Sequence, residues 1–240
     1  VGLSLTVLGC DGSYPGPRGA CSGYLVRGGG VSVWVDAGSG TLANLQRHID
    51  IRQLDAVVLS HEHPDHWTDI EGFAVARTYV IGGGAVPVFA PGGLRPRLYF
   101  DPPDVYDWRE VADGDRIGVG DLSLSFCRTD HGPETLAVRI DGDGKSVGYS
   151  ADSGPAWSLE ALGPGLDLAL CEATYLRENE GRAQHMSARQ AGTSGREAGV
   201  SRLVLTHRWP TVKAEATREE GSTAFGSELE LARPGAEYLL

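Results

Sequence analysis

Three of the seven histidines in this 240-residue chain fall within six positions, in His61-Glu62-His63-Pro64-Asp65-His66. Histidines at i, i+2 and i+5 with a carboxylate at i+4 cannot share one face of a regular helix. In an irregular loop they can converge, and neutral imidazoles with a carboxylate are the donors that borderline divalent cations prefer. Three further candidates stand at loops off apolar segments: His131 in Asp130-His131-Gly132-Pro133, Asp152 in Ser150-Ala151-Asp152-Ser153-Gly154, and His207 in Leu205-Thr206-His207. A rigid scaffold presents functional side chains at such places. Singly, His131 and His207 are ordinary loop histidines and Asp152 an ordinary turn residue. With residues 61–66 they form a metal-ligating set. His48, among Gln46, Arg47 and Asp50, reads as a solvated helix residue.

The elements that must position these residues follow from apolar patterning. Strands are expected at 3–8, 22–27 and 31–36, a helix over 40–49, and a strand at 54–59 whose nearly unbroken apolar run suits burial on both faces. A helix starts near Thr68, where Thr68 and Glu71 have capping-box spacing, with Ile70, Phe73, Ala74 and Ile81 along its buried side. Further strands are expected at 121–127, 135–141 and 145–150, with Asp141-Gly142-Asp143-Gly144 as a turn, and at 166–171. A helix from Ser187 has Gln190 at the capping-box position, and a strand follows at 202–206. The two halves share local signatures. Val57-Val58-Leu59-Ser60-His61 parallels Leu203-Val204-Leu205-Thr206-His207, and Val35-Asp36-Ala37-Gly38 parallels Ser150-Ala151-Asp152-Ser153-Gly154. The expected fold class is α/β (α+β), a four-layer αββα sandwich of two pseudo-repeated halves, with residues 1–240 forming one domain.

Composition narrows the function. Apolar residues at 41% can fill a core, and 32 acidic against 21 basic residues give a net charge of −11, without the basic footprint of a nucleic-acid binder. No apolar run approaches the ~20 residues that span a bilayer, so no membrane partner is expected. The four cysteines (Cys10, Cys21, Cys127, Cys171) have no paired spacing, which fits reduced thiols and a cytoplasmic location. An apolar surface helix is compatible with a homodimer.

The pattern His61-x-His63-x-Asp65-His66 after a strand, followed by His131, Asp152 and His207 at strand ends, resembles the metal signature of the metallo-β-lactamase superfamily over nearly the whole chain. The resemblance implies a binuclear metal centre: His61, His63 and His131 on one cation, Asp65, His66 and His207 on the other, and Asp152 bridging. Zinc is the expected metal, with manganese or iron as alternatives. His66 argues against an antibiotic-hydrolysing member, and His63 against a di-iron oxygen reductase, which carries Glu there. Cys171-Glu172-Ala173-Thr174-Tyr175, followed by His185-Met186-Ser187-Ala188, is similar to the phosphodiesterase branch that contains the tRNA 3′-processing endonucleases (RNase Z). Cys171 replaces that motif's first histidine and reads as a small buried residue.

That branch implies Asp65, His185 and Glu172 as catalytic residues. His185 stands just ahead of a helix N-terminus, where it can protonate a leaving oxygen, and Glu172 can orient it. The expected reaction is hydrolysis of a phosphodiester by a metal-bridging hydroxide. RNase Z carries a long arm for the tRNA elbow, usually after the position of His131. Here only a hairpin separates His131 from Asp152, so the chain also resembles short bacterial cyclic-nucleotide phosphodiesterase-like proteins, and a small nucleotide-type diester is the expected substrate. RNA is disfavoured. The rival readings are an RNase Z-like endonuclease, a glyoxalase II-like thioester or acyl hydrolase, and a non-catalytic metal-binding protein. Arg18 is either a candidate to meet a substrate phosphate or a solvated loop arginine. Trp67, Trp157 and Trp209 are candidates for the pocket wall, Trp209 also for stacking on a base, with packing the simpler role for the tryptophans.

Overall fold

The computed structural model describes residues 2–240. The first sheet contains β1 (Ser4–Gly9), β2 (Gly23–Gly28), β3 (Val31–Ala37), β4 (Ala56–Val58), β5 (Val86–Ala90) and β6 (Tyr106–Glu110), in that spatial order. The second contains β7 (Arg116–Val119), β8 (Leu122–Arg128), β9 (Leu136–Gly142), β10 (Lys145–Tyr149), β11 (Leu168–Glu172), β12 (Leu203–Thr206) and β13 (Glu230–Leu231). The chain then returns to the first sheet, where β14 (Glu237–Leu239) pairs with β1. Helices α1 (Thr41–Leu45) and α2 (Asp69–Ala76) cover the outer face of the first sheet. Helices α3 (Ala188–Glu197) and α4 (Ala214–Phe225) cover the second.

Alternation along the strands builds this αββα sandwich. On β3, Val33 and Val35 enter the core between the sheets while Trp34 packs under the first helical layer. On β11, Leu168 and Leu170 face the other sheet, and Ala169 and Cys171 face the helices. Cys171 is thus a buried core residue, and burial, with Glu172 beside it, pushes its thiol well above the ordinary range.

The two sheets repeat one another strand for strand. Reading from β14 or from β7, each shows three antiparallel pairings and then three parallel ones. β3 therefore corresponds to β10, so residues 35–38 and 150–154 lie at the ends of matching strands, although the register sets Asp36 against Ser150: the Ser60 amide donates to Asp36 and the Glu172 amide to Ser150 Oγ. The match of residues 57–61 to 203–207 is corrected: β4 corresponds to β11, whereas β12 corresponds to β5. Buried parallel strands share an apolar spelling, so similar strands ended alike by coincidence.

Other boundaries moved for local reasons. The helix expected over 40–49 stops at Leu45, because Arg47 and His48 donate to the carbonyls of Asn44 and Leu45 in a tighter winding. His48 lies half-buried in that turn and joins no cluster. The Thr68 capping box does not form. Thr68 is already helical, with φ −59° and ψ −27°, and the Glu71 carboxylate accepts from the amides of Tyr99 (2.6 Å) and Phe100 (3.0 Å). The Ser187–Gln190 box does form, with reciprocal bonds of 2.8 and 3.1 Å.

All the chemically interesting loops leave the C-terminal ends of strands that run in one direction: β1, β3 and β4 in one sheet, β8, β10, β11 and β12 in the other. Gly38, just past β3, lets this edge close. A Cβ there would lie 2.0 Å from the carbonyl oxygen of Asp65 and 2.8 Å from that of Ser22. Gly38→Ala is expected to cost about 1–3 kcal/mol, because backbone on both sides must retreat. The urea midpoint of the variant against the parent measures it.

Candidate active site

The four ligand candidates of the 61–66 loop occupy one turn of chain. Pro64 opens a 3₁₀ turn over Pro64–His66, and the Trp67 indole donates to the Glu62 carbonyl (2.9 Å), which ties the loop to its base. Trp67 and Trp157 are both buried among apolar side chains, as packing residues. His131 follows β8, Asp152 follows β10 and His207 follows β12.

These seven side chains converge as two groups that share Asp152. His61, His63, His131 and Asp152 present donor atoms within 4.8 Å of one another, as do Asp65, His66, Asp152 and His207. In the first group His61 Nε2 lies 3.1 Å from His63 Nδ1, which lies 3.2 Å from His131 Nε2, and Asp152 Oδ2 is 3.5 Å from His61. In the second, His66 Nε2 and His207 Nε2 are 3.3 Å apart, Asp65 Oδ2 is 3.1 Å from His207, and Asp152 Oδ1 is 3.2 and 3.3 Å from the two rings. A tetrahedron of donors about 2.0–2.1 Å from a zinc-sized cation has edges of about 3.3–3.4 Å. Most of these donor spacings lie close to that figure, with the His131 Nε2–Asp152 Oδ2 pair wider at 3.9 Å. Asp152 Oδ1 is also buried without an aligned hydrogen bond, although two ring nitrogens stand beside it. A buried carboxylate oxygen in this position fits a cation shared with those rings.

The rings are held by their outward nitrogens. His61 Nδ1–H donates to Ser60 Oγ (3.0 Å), His66 Nδ1–H to Asp36 Oδ2 (2.7 Å), His131 Nδ1–H to the Gln184 carbonyl (2.9 Å) and His207 Nδ1–H to Thr174 Oγ1 (3.0 Å). Each bond leaves Nε2 turned inward, which is how proteins orient metal-binding imidazoles. Burial first, and then the neighbouring His66, hold His61 well below the usual imidazole range. Burial and His131 lower His63 in the same way. Burial alone would lower His66 too, but Asp152, Asp65 and Asp36 raise it well above that range. Burial opposes ionisation of Asp152 and Asp65, yet the surrounding histidines hold both well below the ordinary carboxylate range.

His185 stands at the rim of this cluster, where its ring packs between those of His131 (5.1 Å) and His207 (5.4 Å). Its Nδ1–H donates to Glu172 Oε1 (2.8 Å), and the same nitrogen is 4.0 Å from Asp152 Oδ2. Burial would lower this imidazole, but the Glu172 carboxylate lifts it to about 9. Glu172 is itself wholly buried and accepts from the Ser153 amide (2.8 Å), the Thr174 amide (3.3 Å) and the Thr174 hydroxyl (2.7 Å). Arg18 is exposed in the loop after β1, and the Trp209 indole donates to Ser13 Oγ (3.1 Å).

Asp36 is the functional residue that sequence reading passed over. Its carboxylate, fully buried, accepts from the Ser60 amide and hydroxyl (both 2.8 Å), from His66 and from the Tyr149 hydroxyl (2.7 Å). The available signal was a carboxylate at the end of an apolar strand, in Val35-Asp36-Ala37-Gly38. The Gln184 carbonyl on His131 and the Ser13 amide, which donates to Asp65 Oδ2 (2.8 Å), are backbone contacts that leave no mark in residue type. Asp36→Asn is expected to lose about 2–3 kcal/mol, because an amide nitrogen then faces donors, and Tyr149→Phe about 1 kcal/mol. Urea denaturation of both variants measures the difference.

Residues 18–208 match the family described as Beta-lactamase superfamily domain. Uncharacterized protein Rv1339 of Mycobacterium tuberculosis is 34% identical over 94% of this chain and 88% of its own length. Probable metallo-hydrolase YhfI of Bacillus subtilis is 30% identical over 97% of this chain and 98% of its own. The crystal structure of YhfI, a metallo-beta-lactamase fold protein, superposes with a TM-score of 0.91 at 29% identity, covering 98% of this chain and 99% of that one. Ribonuclease Z of Methanopyrus kandleri is 28% identical over 93% of each chain. Family match, sheet topology and the His/Asp cluster agree: the chain belongs to the β-lactamase superfamily and is a metallo-hydrolase of that fold.

Proposed function

We propose that the chain is a two-metal phosphodiesterase acting on a small nucleotide-type diester. The observation that carries this reading is the His185–Glu172 pair, a proton donor held beside a cluster that already has enough ligands for two cations. Hydrolysis of an acyl or thioester bond by two cations has little use for such a donor, whereas expulsion of an alkoxide from phosphorus does. The resemblance of Glu172-Ala173-Thr174 and His185 to the RNase Z motifs, and the relative named ribonuclease Z, support the same class of bond.

His61, His63, His131 and Asp152 would hold one divalent cation, and Asp65, His66, His207 and Asp152 the other. Bound there, the cations supply Lewis acidity, lower the pKa of water and neutralise charge on the phosphoryl oxygens. Zinc suits the donor set. Asp65 stays ionised among its histidines and serves as a charged ligand. In the reaction one P–O bond forms to water and one breaks to the leaving oxygen. Glu172 keeps His185 charged and in place, and the proton that His185 gives the leaving oxygen balances the one water loses. The ribonuclease alternative is less supported, since the segment between His131 and Asp152 is the β9–β10 hairpin and the net charge of −11 opposes a polyanion.

The expected outcome is cleavage of bis(p-nitrophenyl) phosphate that a chelator abolishes. Metal bound without turnover would reject the reading. His185→Ala should lower turnover about 100-fold on a diester with a poor leaving group, and less on the nitrophenyl ester, with metal content intact, measured by elemental analysis beside kinetics. Asp152→Ala should lose metal and thermal stability together. Cyclic nucleotides assayed against a precursor tRNA separate the proposed substrate class from the ribonuclease alternative.

A further inference from the structure

His185 sits at the end of an exposed loop, residues 180–184, yet a proton donor must be placed within about 0.5 Å to be effective. Its bond to Glu172 fixes one ring nitrogen only, so the loop backbone needs its own anchor. Gln184 supplies it. The Gln184 carbonyl accepts from His131 Nδ1–H (2.9 Å), its Oε1 accepts from the Gly132 amide (3.2 Å) and its Nε2 donates to Asp130 Oδ1 (2.9 Å). Only one orientation of the amide satisfies both side-chain bonds. A carbonyl has no hydrogen to give, so its bond also settles the His131 tautomer with Nε2 bare.

Asp130 extends the bracket to a third segment. Its Oδ2 accepts from the Ala156 amide (3.1 Å), and its backbone carbonyl accepts from the Gly154 amide (2.5 Å). Gly154 is what permits this approach, since a Cβ there would lie 2.4 Å from Asp130 Oδ2. Next to it, Thr129 Oγ1 donates to the Asp152 carbonyl (2.7 Å). Three chain segments, carrying His131, Asp152 and His185, therefore meet at two polar side chains outside both ligand groups.

We infer that Gln184 and Asp130 are positioning residues that place the proton donor His185 relative to the His131 side of the cluster. The inference rests on the proposed role of His185. Neither residue touches the reacting atoms. Their effect is on where the loop holds the imidazole and how freely it moves.

The test compares two aryl diesters, diphenyl phosphate and bis(p-nitrophenyl) phosphate, since the poorer phenolate leaving group depends more on a proton donor. In Gln184→Ala, kcat for diphenyl phosphate should fall about tenfold further than kcat for the nitrophenyl ester, with KM, metal content and Tm at parental values. Added to His185→Ala, the same change should cost nothing more. Amide hydrogen exchange should quicken at residues 180–185 and 131–132 together. Asp130→Asn, which keeps an acceptor for only one of its two side-chain donors, should give the same pattern. Equal losses on both esters, additive losses in the double variant, or unchanged exchange in both segments would overturn the inference. If the parent cleaves neither ester, the phosphodiester reading fails by itself, and the exchange comparison alone then decides on the bracket.

Discussion

A carboxylate sealed from water dominates this molecule. Asp152 is 2% exposed, and an ion so placed costs several kcal/mol unless positive charge surrounds it. The fold sets histidine nitrogens from both sheets around its two oxygens, His61 and His131 at one and His66 and His207 at the other, and divalent cations held among these donors would supply that charge. Converging that many rings on one carboxylate requires strand ends from two layers to lie at a common edge. The glycines at 38 and 154, which allow backbone and side chains to meet there, follow from the same requirement.

Around the centre, two other buried carboxylates do a different task. Asp36 and Glu172 each accept four hydrogen bonds, one bond in each set coming from a histidine Nδ1. Saturated in this way, they are well suited to fix ring orientation. Thr174 links Glu172 to His207, so the same carboxylate braces a ligand and the proposed acid. Ser60 links Asp36 to His61 in the parallel manner. Neighbouring rings in the cluster are therefore oriented in common.

Much of this was legible in the residues. The 61–66 run stands out because histidine is rare elsewhere in the chain, and the strands that carry His131, Asp152 and His207 have plain apolar spelling. Apart from the interior strand β5, whose apolar run is broken by Pro87, what stayed hidden was of two kinds. Short or edge elements such as β6, β7, β13 and β14 lack a full apolar period, since one face meets solvent, and α4 buries only Thr217 and Gly221 fully, which no periodicity marks. Contacts through backbone groups, such as the Gln184 carbonyl on His131, are indifferent to side-chain type. The Thr68 capping box failed for a third reason, because Glu71 had tertiary donors available at Tyr99 and Phe100. Likewise the apparent twin of residues 57–61 was misaligned because buried parallel strands resemble one another whatever their rank in the sheet.

The sharing of Asp152 between donors from both sheets bears on how the molecule is assembled during synthesis. The hexapeptide emerges early, yet its partners lie as far along as His207 of 240 residues. Neither layer by itself offers a complete coordination sphere, so an ion cannot template half of the sandwich. A cation held by these groups would find its full donor set only after both layers have docked, and would then tighten the whole as one cooperative unit.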